Sequence, residues 1–370
     1  MNIYKRTNCG DINQPNQKLL SVIIPTYNMQ NYLPRCIQSI VSVVNKDKLE
    51  IIVVNDGSKD DSFAIAKKYA DEYPGLLVVV DKDNANYGSC VNVGIEVATG
   101  VYVKILDADD SYDTESLDIV LDHLAKVDVD LVITDFVRVY PDGKQSVKRY
   151  SIQPFVVLDY SQLRFKSEVF KLWMHSAAYR LENLRMLDYH QTENISYTDV
   201  EWTFLPMATV QKVVYINVPL YRYTLGREGQ TVDPKVSAVK FGDNVKCTMS
   251  MTKAFVDFVE RGDKGILVHR GFRLDNKENI EMLEKKLLRR IKTMYKYYLI
   301  KNRNINISEL YEMDMLMKKI SPRLYALSSK FVVSSPVFPF RYVRSWRRNG
   351  KSRRFNLLIM LYRFLNFHFK

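Results

Sequence analysis

With 370 residues and 46% hydrophobic side chains, the chain can build one large domain or two modest ones and is globular in the main. Its four cysteines, Cys9, Cys36, Cys90 and Cys247, lie far apart with no C-x-x-C spacing, which argues against a zinc site or a disulfide framework and fits a reducing cytosol. The net charge of +12 is uneven: thirteen Lys and Arg and no acid lie between Met315 and the end, so a nearly neutral body precedes a basic tail suited to an anionic partner, a membrane surface or nucleic acid.

Residues 1–18 read as a polar lead-in without the apolar segment of a cleaved signal, and no stretch reaches the roughly 18 apolar residues that span a bilayer. Leu20 to Ile24 is a short buried strand ended by Pro25. Leu33, Cys36, Ile37, Ile40, Val41 and Val44 then recur at helical spacing, with Pro34 in the first turn. The alternation continues with a strand Leu49 to Val54, a helix Asp61 to Tyr73, a strand Leu76 to Val80, a helix Gly88 to Val97 and a strand Val101 to Leu106. A helix through Leu117, Val120, Leu121 and Leu124 precedes a strand Leu131 to Phe136. β-branched strands between amphipathic helices predict an α/β fold with a mostly parallel sheet covered on both faces, whose ligands bind at the carboxyl ends of the strands.

Those ends carry Pro25-Thr26-Tyr27-Asn28, Asn55-Asp56-Gly57-Ser58, Asp81 with Asn86-Tyr87-Gly88 following, and Asp107-Ala108-Asp109. Carboxylates at 107, 109 and 110 repel one another, which makes sense if a divalent cation neutralises them. An isolated acidic cluster also serves as a helix cap, and Asp110 fits a cap or a supporting acid better than a ligand.

The ordered set LSVIIPTYNMQNYLPRCIQSI, LEIIVVNDGSKDDS, NYGSCVNVGIEVATGVYVKILDADD and LYRYTLGREGQTV resembles glycosyltransferase family 2, nucleotide-sugar-dependent inverting enzymes with a GT-A fold, of the bacterial surface-glycan type. The likeness is strong from about Leu19 to Asp135 and extends to about Val232. It implies that Pro25, Thr26 and Tyr27 line the base pocket and that Asp56 binds the uracil edge. It also implies that Asn86 and Gly88 belong to the nucleotide site, that Asp107 serves ribose and metal, and that Asp109 coordinates a Mn or Mg ion bridging the diphosphate.

In similar enzymes the general base lies in an acidic pair near a helix start. Here the local sequence is Ser196-Tyr197-Thr198-Asp199-Val200-Glu201-Trp202, with Thr198 in place of the first acid. Thr198 and Glu201 have capping-box spacing, which leaves Asp199 as the base, against the alternative that it complements the helix dipole. His175, in an apolar strand, could bind a sugar hydroxyl or the acceptor, or be structural. Arg227 and Gln230 sit in a Gly-flanked loop after the strand Leu220 to Thr224 and could close over the diphosphate; an exposed polar turn is the alternative.

The expected organisation is a nucleotide-sugar half at 19–136, an acceptor and catalytic half at 137–235, and a helical basic region at 236–370. Its helix Ile280 to Ile300 carries Lys285, Lys286, Arg289, Arg290 and Lys292. The segment Arg353 to Leu365 has a wide apolar face and reads as a helix lying on an anionic membrane surface, or packing on the body or in a homo-oligomer. The resulting expectation is a cytoplasmic, membrane-peripheral transferase acting from a nucleotide-sugar, UDP-linked by preference, on a glycan or lipid-linked acceptor. The competing readings are a polyprenyl-phosphate sugar synthase of the same fold and a non-catalytic nucleic-acid binder.

Overall fold

The computed structural model describes residues 17–163, 171–227, 229–230, 236, 239–263, 277–301, 307–333, 340–349, 357 and 359–362. The chain divides into two compact units, Met1–Asp243 and Asn244–Lys370.

The first unit opens with β1 (Leu20–Thr26), α1 (Leu33–Val41), β2 (Leu49–Asn55), α2 (Ser62–Glu72), β3 (Leu77–Asp81), α3 (Asn86–Val97) and β4 (Tyr102–Ile105). Every residue of β1 and β2 is buried, so these strands need no polar alternation. α1 turns Leu33, Cys36, Ile37, Ile40 and Val41 into the same core as Val22, Ile24, Ile51 and Val53. The expected stop at Pro25 is corrected: β1 runs through Pro25, paired with Val54, to Thr26, paired with Asn55. Ile23 O accepts from Leu106 N just past the end of β4, so two residues on, the missing N–H of Pro25 faces a side that β4 has already left.

Next come β5 (Ser111–Tyr112), α4 (Thr114–Leu124), β6 (Leu131–Val139), β7 (Gln145–Lys148), β8 (Val157–Asp159), β9 (Ala177–Arg180), α5 (Leu181–Met186), a short helix α6 (Asp199–Trp202) and β10 (Lys212–Thr224). One sheet has the order β3-β2-β1-β4-β9-β6-β10-β5, with β7 on β6 and β8 on β10. The parallel arrangement expected from sequence holds for β3-β2-β1-β4 and again for β6 with β10. Between these two blocks β9 runs antiparallel to both β4 and β6, so the sheet as a whole is mixed. The strand foreseen at Leu220 to Thr224 is the end of the 13-residue β10.

The second unit is helical. α7 (Phe241–Asp263) leads into it, followed by α8 (Lys277–Lys296) with a π-helical turn at Tyr297–Lys301, then α9 (Ile307–Ile320), α10 (Pro322–Ser328) and α11 (Tyr342–Asn349). Ser321 caps α10 by accepting from Leu324 N, with Pro322 at its first position. Arg347 ties this unit together: its guanidinium pairs with Asp314 at 2.7 Å and also reaches Tyr295 Oη, Tyr325 O, Ser328 Oγ and Ser329 Oγ. Among the described residues, no helix is long and apolar enough to cross a membrane. The lead-in 1–16 and most of the expected tail helix lie outside the described residues; of that helix, Leu357, Met360 and Leu361 are exposed while Ile359 and Tyr362 are buried.

Candidate active site

Three parallel strand ends form one wall. Thr26 is buried and its carbonyl accepts from Asp56 N at 2.8 Å, tying the first two strand ends together; Tyr27, the next residue, is 45% exposed. Asn28 takes φ +53° and accepts from Lys59 N at 2.8 Å, locking the following turn. Asp56 is buried, and its Oδ1 accepts from Lys82 Nζ and from Ala85 N at 3.0 Å. The same Lys82 reaches Ser89 Oγ at 2.8 Å. Asp56 therefore already holds the loop between β3 and α3 through one carboxylate oxygen.

Asn86 begins α3 with φ +67° and is exposed. Gly88 is buried in the first turn, where an added Cβ would collide with the carbonyl oxygen of Thr192. Its lack of a side chain lets the segment before α6 lie against α3. Asn92 fastens the same contact, donating to Gln191 O at 3.0 Å and to Glu193 Oε1 at 2.9 Å while accepting from Gln191 N at 2.8 Å.

That segment leads to Asp199, the first residue of α6. The expected capping box is not formed: Thr198 makes no side-chain cap bond, and Glu201 instead accepts from Thr192 N at 2.8 Å and Thr192 Oγ1 at 2.7 Å. Glu201 thus fastens the loop ahead of the helix. Asp199 is half-buried, and its charge helps to push up the titrations of Asp107, Tyr87 and Tyr223. Sequence positions 107 and 199 therefore share one electrostatic neighbourhood.

The acidic triplet separates into different environments. Asp109 Oδ2 accepts from Arg227 Nε at 2.8 Å and Gln230 Nε2 at 3.4 Å, and its carbonyl accepts from Arg35 at 2.6 Å. Gln230 also accepts from Gly226 N and donates to Thr224 O, which folds the loop onto the end of β10. Asp107 Oδ1 accepts from Tyr87 Oη at 2.9 Å. Asp110 is 1% exposed and accepts from Tyr221 Oη and Thr224 N, each at 2.7 Å. It is not the helix cap: Asp113 caps α4, accepting from Ser116 N at 3.0 Å. Burial and the Asp109 charge push Asp107 up to about 7, and burial with Asp107 and Asp109 raises Asp110 as well.

His175 lies in a single 3-10 turn, Met174–Ser176, rather than in a strand. Its ring centroid is 4.4 Å from that of Tyr223 and 4.7 Å from that of Tyr221, and burial together with Lys104 and Arg138 pushes its titration down to about 3. A ring nitrogen lies within 4.8 Å of carboxylate oxygens of Asp107 and Asp110. Two carboxylates and a neutral imidazole make a donor set that fits a divalent cation. Tyr87 and Tyr221, which bind these carboxylates, were given no role by sequence reasoning. Tyr221 stands in the Leu-Tyr-Arg-Tyr stretch ahead of the glycine loop, but its inward direction depends on strand register.

Residues 21–188 match the model described as Glycosyl transferase family 2. These residues form a domain of that family. It is 29% identical over 230 residues to an uncharacterized glycosyltransferase of Mycoplasma pneumoniae, the MG025 homolog, covering 60% of this chain and 73% of the relative. It is 31% identical over 217 residues to the uncharacterized glycosyltransferase YibD of Escherichia coli, covering 56% of this chain and 61% of YibD. A shorter match, 41% over 91 residues, reaches the minor teichoic acid biosynthesis protein GgaB of Bacillus subtilis, covering 24% of this chain and 10% of GgaB. S. aureus TarS 1–349, solved with UDP-GlcNAc, has the same fold, with a TM-score of 0.65 at 18% identity over 89% of this chain and 87% of that one. The chain thus carries a glycosyltransferase family 2 domain with the GT-A fold that its motifs imply.

Proposed function

We propose that this family 2 enzyme is an inverting transferase that moves a sugar from a nucleoside diphosphate, UDP first among candidates, to a hydroxyl of a glycan or lipid-linked acceptor. The observation that carries the reading is the convergence of Asp107, Asp109 and Asp110 with Asp199, far apart in sequence, beside one strand-end wall. Pro25, Thr26 and Tyr27 would flank the base, with Asp56 and Asn86 at its edge. Gly88 acts by bringing the catalytic loop against α3. Asp107 and Asp109 would hold a divalent cation, Mn or Mg, which when bound supplies Lewis-acid stabilisation of the departing diphosphate. Arg227 and Gln230, released from Asp109, would bind the phosphates, and His175 would lie beneath the donor. Asp199 accepts the proton of the attacking hydroxyl.

UDP leads because the fold neighbour TarS was solved with UDP-GlcNAc, and a surface-glycan acceptor leads because GgaB is a teichoic acid biosynthesis protein. The basic tail and the exposed Leu357, Met360 and Leu361 support docking on an anionic membrane from the cytoplasmic side. The test is donor hydrolysis and transfer across a panel of nucleotide sugars with and without Mn2+. Metal-dependent turnover is expected, with Asp199→Asn lowering kcat by about 10²–10⁴ while donor KM changes little. No metal-dependent turnover or binding with any donor would sink the proposal. Full turnover by Asp199→Asn would favour phosphate as the acceptor, as in a polyprenyl-phosphate sugar synthase.

A further inference from the structure

We infer that His175 is a metal ligand, and that with Asp107 and Asp110 it forms an inner cation position filled before the donor arrives. The inference rests on the metal-dependent reading above but assigns the ion to different side chains, since the family resemblance gives it to Asp107 and Asp109.

Asp110 is 1% exposed and Asp107 partly buried, yet among the described residues neither has an ion-pair partner. Their hydrogen bonds come from neutral donors, the hydroxyls of Tyr87 and Tyr221 and the amide of Thr224. Adjacent enclosed carboxylates without a cation are unfavourable unless protonated or bridged by a metal. Each oxygen that accepts one of these bonds keeps a second lone pair for an ion.

His175 is buried, at 6% exposure, and its Nδ1 is enclosed with no hydrogen-bond partner among the described residues. The ring is fixed by packing against Tyr221, Tyr223, Phe136 and Trp173, and its main-chain carbonyl by Lys104 Nζ at 2.7 Å. A buried imidazole with an unpaired nitrogen, and with a ring nitrogen within 4.8 Å of two carboxylates, is the arrangement expected when an ion completes the site.

Asp109, in contrast, has its Oδ2 engaged by Arg227 and Gln230, and the Arg227 guanidinium at 2.8 Å opposes a second cation there while the loop is down. Gly226 and Gly229 flank Arg227 with φ +88° and +76°, conformations that suit glycine hinges. Donor-free protein would therefore hold its ion on the inner set. A carboxylate and imidazole set also suits Mn2+ better than Mg2+, which prefers oxygen donors and retained water.

The test titrates the 370-residue protein with Mn2+, with and without UDP, following free Mn2+ by electron paramagnetic resonance and bound Mn2+ by its nitrogen hyperfine coupling. Wild type should bind Mn2+ without UDP and show coupling to a directly bonded imidazole. His175→Gln, checked for an unchanged melting curve, should lose that coupling and weaken donor-free binding about tenfold or more. Asp109→Asn should keep both and lose only the tightening that UDP brings. Bound Mn2+ in wild type without nitrogen coupling, or binding that occurs only with UDP, overturns the inference, and the wild-type measurement stands even if the variant fails to fold. If UDP still tightens Mn2+ binding in that case, the metal-dependent transferase reading survives; no Mn2+ binding under either condition overturns both.

Discussion

The two units treat a buried carboxylate in opposite ways. In the helical unit Asp314, 4% exposed, is met by Arg347 at 2.7 Å and by Tyr295 Oη, and the guanidinium is itself saturated by backbone and hydroxyl acceptors. In the sheet unit Asp110 is equally enclosed, yet it and Asp107 receive only neutral donors, and both titrations are pushed upward. A complete ion pair serves the fold, whereas the incomplete one fits the proposed cation site. The contrast separates a structural acid from a functional one better than burial does, because the two are buried alike.

Removing the cation from the complete pair should cost most. Arg347→Met leaves Asp314 buried and unpaired and is expected to destabilise the protein by about 3–5 kcal/mol in urea unfolding, with Asp314→Leu added to it recovering much of the loss. Recovery by the double variant would confirm that the cost is the stranded charge.

Lys104 is the cationic counterpart of the orphan acids. It is 1% exposed, has no ion-pair partner among the described residues, and burial pushes it down to about 7. Because its folded value lies below the unfolded one, stability is complete above the unfolded value and falls as pH drops toward about 7, with no further change below. Lys104→Met removes this dependence. Its stability relative to wild type should improve by a few kcal/mol between about pH 10 and pH 7, whatever the fixed cost of losing the bond to His175 O. A difference that stays flat with pH would mean that Lys104 remains charged and solvated.

Smaller effects probe the same contrast. Gly88→Ala should cost about 1–3 kcal/mol through its collision with Thr192 O and should lower kcat more than donor KM, because the displaced segment leads to Asp199. Asp107→Asn in metal-free protein at neutral pH should raise the melting temperature by the equivalent of about 1 kcal/mol while abolishing transfer. The same change should destabilise the protein relative to wild type once Mn2+ is added. A drop in stability without metal would place Asp107 with Asp314, as an acid the fold requires.

Much of the first unit was legible because its information is local. The apolar runs of β1, β2 and β4 and the helical spacing from Leu33 to Val41 are periodic signals, and Asn55-Asp56-Gly57 and Asp107-Ala108-Asp109 fall at strand ends by counting alone. Pro25 misled because its tolerance in β1 depends on where β4 stops. His175 misled because an apolar neighbourhood does not distinguish a strand from a 3-10 turn. Glu201 had capping-box spacing, but Thr192, nine residues back, offered it two donors and took it from Thr198.

Residue order along the chain was enough to predict the fold class, to show the family resemblance and to single out the acids, since hydrophobic period and motif order depend on neighbours in sequence. How those acids divide was settled in three dimensions. Asp113 took the helix cap, Asp109 took Arg227 and Gln230, and Asp107 and Asp110 were left facing His175 without a counter-charge. That division depends on β10 and the turn before β9 returning to the end of β4, and charge compensation is a property of what surrounds a residue in space.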